Sequence, residues 1–108
     1  MRTVHKYPIK TDEDGFFHLD LPMDAKVLHA DFASNGMSVR PCLWALVDTG
    51  MPQQRRDFEV RLTGDEIPSL PEDTVTELKH LGTFIKRSEN GGIDLLYHLF
   101  ERVLRRDV

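Results

Sequence analysis

Lys26-Val-Leu-His-Ala-Asp-Phe-Ala-Ser-Asn-Gly-Met-Ser-Val-Arg-Pro-Cys-Leu-Trp-Ala-Leu-Val-Asp48 decides the fold. It holds the only Trp, the only Cys and the longest apolar run of the 108-residue chain, with Asn35-Gly36 near its middle. β-favouring residues on both sides of an Asn-Gly pair are the strongest short-range signal for a hairpin. Both turn residues tolerate the positive φ that a tight turn requires. The stretch therefore predicts antiparallel strands over Lys26–Phe32 and Val39–Asp48, with Leu28, Ala30 and Phe32 on the buried face. The Cys42–Val47 run is apolar on both faces, which predicts a strand covered on both sides. Trp44 then reads first as core. Pro41 predicts a late start to the ladder, or a bulge.

Outward from the hairpin, alternation continues. Arg2–Ile9 reads as a strand with Pro8 at an edge or an end. In Phe16–Leu21, Phe17, Leu19 and Leu21 alternate with Phe16, His18 and Asp20, the period of a half-buried strand. In Asp57–Leu62, Phe58, Val60 and Leu62 point one way, while Asp57, Glu59 and Arg61 are expected on a solvated face. Lys79–Ser88 and Ile93–Val103 flank a second turn, Glu89-Asn-Gly-Gly92. Residues 65–78, with Pro68 and Pro71, are expected to be a long irregular connection. The charged tail 101–108 is expected as a strand end or a frayed helical turn. The sum is a mainly β, single-domain chain over 1–108 with about seven strands and little helix. An antiparallel barrel or sandwich suits such a chain.

A formal charge of −4 argues against direct nucleic-acid binding, which ordinarily uses a basic surplus. No segment approaches the ~18 apolar residues of a membrane-spanning helix, and the N-terminus lacks the apolar run of a signal peptide. A single cysteine forms no intramolecular disulfide, and Cys42 reads as a small buried hydrophobe. The five histidines, His5, His18, His29, His80 and His98, lack metal-ligand spacing. Thr63-Gly64 and Gly82-Thr83 lack the pattern of a phosphate loop. No catalytic motif and no cofactor motif is present, so the chain reads as a non-enzyme.

Two charged sets remain as candidate contacts. Asp12, Glu13 and Asp14, with Asp65, Glu66, Glu72 and Asp73, are acidic loop residues suited to a basic site on a partner. Arg55, Arg56, Lys86 and Arg87 form an anion- or nucleotide-binding set if the fold brings them together.

Lys6-Tyr-Pro-Ile9, Leu21-Pro-Met-Asp-Ala-Lys-Val-Leu-His29, Cys42-Leu-Trp-Ala-Leu-Val-Asp48, Thr63-Gly64, Leu81-Gly-Thr83 and Tyr97-His-Leu-Phe-Glu101 follow in this order. Together they resemble an uncharacterised family of small proteins encoded mostly by bacteriophages and prophages. The chain departs from that pattern at Asp24, where Gly is usual, and at Asp65, where His is usual. Tyr97 stands for a frequent Trp, and Glu66–Glu77 is insertion-like. The resemblance brings no activity, but it implies a phage accessory protein in the cytoplasm of the infected bacterium. The leading expectation is an inhibitor that binds a bacterial host defence protein. The alternatives are a homo-oligomer that sequesters a phosphorylated small molecule such as a cyclic nucleotide, and a minor virion or assembly component.

Overall fold

The structure is a computed structural model that describes residues 1–34, 36–67, 76–88 and 90–104. Seven strands follow in chain order: β1 (Arg2–Pro8), β2 (Phe16–Pro22), β3 (Lys26–Ser34), β4 (Val39–Asp48), β5 (Gln53–Leu62), β6 (Thr76–Lys86) and β7 (Leu95–Leu104). Among the described residues there is no helix. The strands form two antiparallel sheets, one ordered β1-β4-β3 and the other β2-β5-β7-β6. This is a sandwich rather than a closed barrel. Where the edges β3 and β6 approach, Phe32 meets Phe84 and Tyr97 at ring-centroid distances of 5.4 and 5.7 Å.

The central hairpin pairs as its sequence predicts, from Ser34 opposite Val39 to Lys26 opposite Leu46. Asn35 lies outside the described residues. The ladder runs through Pro41, which faces Phe32, and the irregularity sits instead between Val27 and His29. A bulge adds one residue and reverses the facing of what precedes it. Val27 therefore turns toward the core with Ala30 and Phe32, while Leu28 is exposed, contrary to the alternation read from sequence.

Leu43, Ala45 and Val47 of β4 face Leu21, Phe58 and Leu99 in the shared core. Phe17 stacks on Phe58 at 5.0 Å, and Phe84 on Tyr97 at 5.3 Å. Only one face of β4 is covered, however. In register, Trp44 lies between Lys6 and His29 on the outer face of the three-stranded sheet. It is half-buried, with its rings 5.7 Å from His29. An apolar run marks a central strand, but its neighbours within the sheet supplied much of the cover expected from a second layer.

Two further expectations change. Glu59 and Arg61 are buried on the outer face of the four-stranded sheet, where solvated side chains were expected. Thr76–Leu78, expected in the irregular connection, begin β6. Residues 101–104 end β7, in line with the strand end expected of the tail, and Glu101 is buried. Residues 68–75 and 105–108 lie outside the described part.

At the open end of the three-stranded sheet, Asp48 accepts from the Gly50 N–H at 3.0 Å and from the N-terminal ammonium at 3.2 Å. The Gly50 bond first, and then the ammonium, hold its carboxyl below the usual carboxylate range. Asp24 in the β2–β3 turn has φ 65°. That left-handed conformation is free for Gly and costly for other residues. A Gly at this position would adopt the conformation without strain. Asp24→Gly should raise stability by about 0.5–1 kcal/mol, read as a shift in the urea midpoint. A lower midpoint would show that the Asp24 side chain stabilises the turn.

Candidate functional site

The strand order brings together what the sequence separates. β2 runs antiparallel to β5, with Phe16 opposite Glu59, and the Val60 N–H donates to the Gly15 carbonyl at 2.9 Å. The Asp12–Asp14 turn therefore sits at the same end of the four-stranded sheet as Asp65 and Glu66, which follow β5. Asp12 makes its turn by accepting from the N–H groups of Asp14 and Phe16 at 2.9 and 3.0 Å. Asp65 closes the next turn by accepting from the Leu62 N–H at 2.9 Å. These two carboxylates are turn-makers of the Asx kind. The carboxylates of Glu13, Asp14 and Glu66 are exposed and hold no partner among the described residues. Glu72 and Asp73, the remaining members of the acidic set, lie outside the described part.

The same end carries an apolar component that sequence reading missed. Ile67, Ile85, Ile93, Leu95 and Leu96 are all exposed, Ile93 to 88 %. Ile85 pairs with Leu96 at the end of β6 and β7, and the Thr63 N–H donates to the Leu96 carbonyl at 3.0 Å. The end of the sheet thus combines aliphatic side chains with unpaired carboxylates and, at Lys86 opposite Leu95 and at Arg87, two cations.

The basic set does not assemble within one chain. Arg55 and Arg56 lie near the start of β5, level with Arg102 and Leu78. Lys86 ends β6 at its far end and Arg87 follows it, at least roughly 25 Å away at the usual strand rise. Arg56 is also committed internally. Its Nε and Nη2 bind both oxygens of Glu101 at 2.6 and 2.7 Å, and Nη1 donates to the Ala25 carbonyl. Arg87 approaches Asp94 at 3.9 Å, an exposed and weak pair. Arg55 is exposed and binds Asp57 through Nε at 3.1 Å.

Two clusters on the outer face of the four-stranded sheet had no sequence signature. Glu59 accepts from Arg61 Nε and Arg102 Nε, each at 3.0 Å, while Asp14's carbonyl accepts from Arg61 Nη1. Arg61 Nη2 sits 2.9 Å from Glu59 in an ion contact without a directed hydrogen bond. Both guanidinium groups lie over the Phe16 ring, at 4.9 and 4.6 Å. Beside this clamp, the Thr83 hydroxyl bridges His80 Nε2 and His98 Nδ1, each at 3.3 Å. His98 Nε2 meets the Thr63 hydroxyl at 2.9 Å. His80 and His98 stand 18 positions apart in sequence, and only the β6–β7 register reveals them as neighbours. No three His, Cys, Asp or Glu side chains among the described residues converge as metal ligands. Cys42 is buried, with its thiol 3.8 Å from the Arg40 carbonyl.

A groove of about 820 Å3 opens on the same face above β2 and β5. Lys10, Phe16, His18, Arg55, Asp57 and Arg102 are among its lining residues.

No curated protein and no solved structure matches the chain significantly. Residues 1–107 match the model of a family described as a domain of unknown function, DUF7352. With nearly the whole chain matched, this protein belongs to the DUF7352 family.

Proposed function

We propose that this domain is a phage-encoded accessory protein that acts by binding, and that it inhibits a bacterial host defence protein by occupying a basic site. The reading is carried by the end of the four-stranded sheet, which presents exposed Ile67, Ile93, Leu95 and Leu96 at the same end as the carboxylates of Glu13, Asp14 and Glu66, with Lys86 opposite Leu95. Protein interfaces combine an apolar centre with a polar rim. Contiguous exposed aliphatic side chains on a small domain mark interaction sites more often than chance placement. An acidic rim adds selectivity for a cationic partner and speeds encounter at low salt. The phage origin and the defence target rest on the sequence resemblance alone.

The test pairs capture with charge reversal. Glu13→Lys combined with Glu66→Lys leaves both turn-making aspartates in place, so the fold should survive. Tagged protein from a lysate of defence-bearing bacteria should hold one host protein in stoichiometric amount, identified by native mass spectrometry. The double variant should bind that protein more than tenfold more weakly, by about 1.4 kcal/mol or more. Equal affinity in the variant would remove the acidic end from the interface. Wild-type protein that emerges without a stoichiometric partner would count against the inhibitor reading.

The sequestration reading keeps one observation in its favour: Arg55 faces the groove above β2 and β5.

A further inference from the structure

We propose that the groove on the outer face of the four-stranded sheet is a binding site for a small phosphomonoester of about mononucleotide size. This inference rests on the sequestration reading for its ligand class but not for its residues. It retains Arg55 and replaces Arg56, Lys86 and Arg87 with Lys10 and Arg102. It is independent of the acidic end and of any protein partner.

The argument begins with how the two arginines are held. Arg55 binds Asp57 through Nε, and Arg102 binds Glu59 through Nε. Arg102 is anchored at Nε on a buried carboxylate and so is fixed in direction, and on both arginines the two terminal nitrogens stay available as a fork. Among the described residues those terminal nitrogens have no hydrogen-bond acceptor on either arginine. Lys10, on the lip of the groove, has no ionic partner among the described residues. Two guanidinium forks and an ammonium suit a phosphate dianion, which accepts bidentate and charge-assisted bonds.

The carboxylates in the groove are already engaged. Asp57 receives Arg55, and Asp12 Oδ1 accepts from two backbone N–H groups. His18 adds a further donor on the wall. Phe16 also lines the groove, with the Arg102 guanidinium lying over its ring at 4.6 Å and backing it as a flat surface. A ring attached to the phosphate would stack on the free side of this guanidinium, while the phosphate takes the donors at its edge. The volume of about 820 Å3 lies within the usual range for small-molecule sites.

The contrast with Arg56 sharpens the assignment. Arg56 has all three donor nitrogens in use, two on Glu101 and one on Ala25. Adjacent arginines on one strand point to opposite faces of the sheet. Arg56 therefore holds the interior together, and Arg55 is left for a ligand.

Calorimetric titration of the full chain with adenosine monophosphate, and separately with inorganic phosphate, tests the site. Adenosine monophosphate should bind saturably and at least tenfold more tightly than inorganic phosphate. Both affinities should fall as sodium chloride is raised, as for exposed charges. Lys10→Gln combined with Arg55→Gln should weaken the nucleotide at least tenfold without moving the thermal midpoint, because both side chains are exposed. Lys86→Gln combined with Arg87→Gln should leave it unchanged. The proposal is overturned by the absence of saturable binding, by equal affinity for the two probes, or by an equal loss in the Lys86 and Arg87 variant. Undiminished binding in the Lys10 and Arg55 variant overturns it as well.

Discussion

Glu59→Ala should destabilise the domain by about 3–5 kcal/mol, the range for breaking a buried ion pair by removing one partner. Glu59 is fully buried, although β5 presents it on an outer sheet face. Its cover is made by the two arginines that it binds and by the Phe16 ring beneath them. Alanine would leave two guanidinium groups over one aromatic ring, with no carboxylate between them. Arg102, 31 % exposed at its side chain, is able to turn toward water and recover part of the loss. Arg61, 10 % exposed and tied to the Asp14 carbonyl, is not. The uncompensated Arg61 charge therefore sets the size of the effect. Glu59→Gln keeps the shape and one acceptor, and should cost about half as much. Replacing Glu59 and Arg61 together by Leu should recover most of the loss, since apolar residues often substitute for a buried pair without penalty. Urea unfolding of the four proteins reads all three outcomes. A Glu59→Ala loss below about 1 kcal/mol, the scale of a surface ion pair, would mean that the clamp is solvated.

This clamp also shows where sequence reading stops. Alternation in Asp57–Leu62 places Phe58, Val60 and Leu62 on one face, and the structure agrees. The same alternation cannot distinguish a face exposed to water from one covered by its own long side chains. Arg61 lies two residues from Glu59, but Arg102 lies 43 away and Phe16 on a third strand. Their convergence depends on the order β2-β5-β7-β6, which no local pattern encodes. The acidic set illustrates the other half. Asp and Gly content marks both acidic segments as loops, because turn chemistry is local, although sequence reads the tight turn that Asp65 closes only as the start of an irregular connection. Their meeting at one end of the sheet, beside Ile93 and Leu96, is a consequence of strand order alone. Within the hairpin, one bulge at Leu28 was enough to exchange the facing of Val27 and Leu28. Trp44 failed for a different reason. Composition ranks tryptophan as buried, but β4 has one covered face, and Trp44 falls on the other.

Arg56→Ala should cost about 2–4 kcal/mol, reduced from the full range for a broken buried pair by the 17 % exposure of the arginine side chain. The guanidinium joins three parts of the chain. It starts on β5, grips both oxygens of Glu101 on β7, and reaches the Ala25 carbonyl just before β3. Deleting it leaves the Glu101 carboxylate, 9 % exposed, without its cation, and a backbone carbonyl without its donor. Arg56→Lys should rescue little, because a point charge does not reproduce the fork that spans two oxygens. Arg55→Ala, one residue earlier and exposed, should stay within about 0.5 kcal/mol of wild type. Glu101→Ala completes a double-mutant cycle, in which the two single losses should overlap strongly rather than add. Additive losses would show that Arg56 and Glu101 act separately; a neutral Arg56→Ala would free this arginine for a ligand after all. The contrast between Arg55 and Arg56 then decides how ligand experiments are read: anion binding lost in an Arg56 variant follows from a loosened sandwich, whereas binding lost in an Arg55 variant of unchanged stability belongs to the groove.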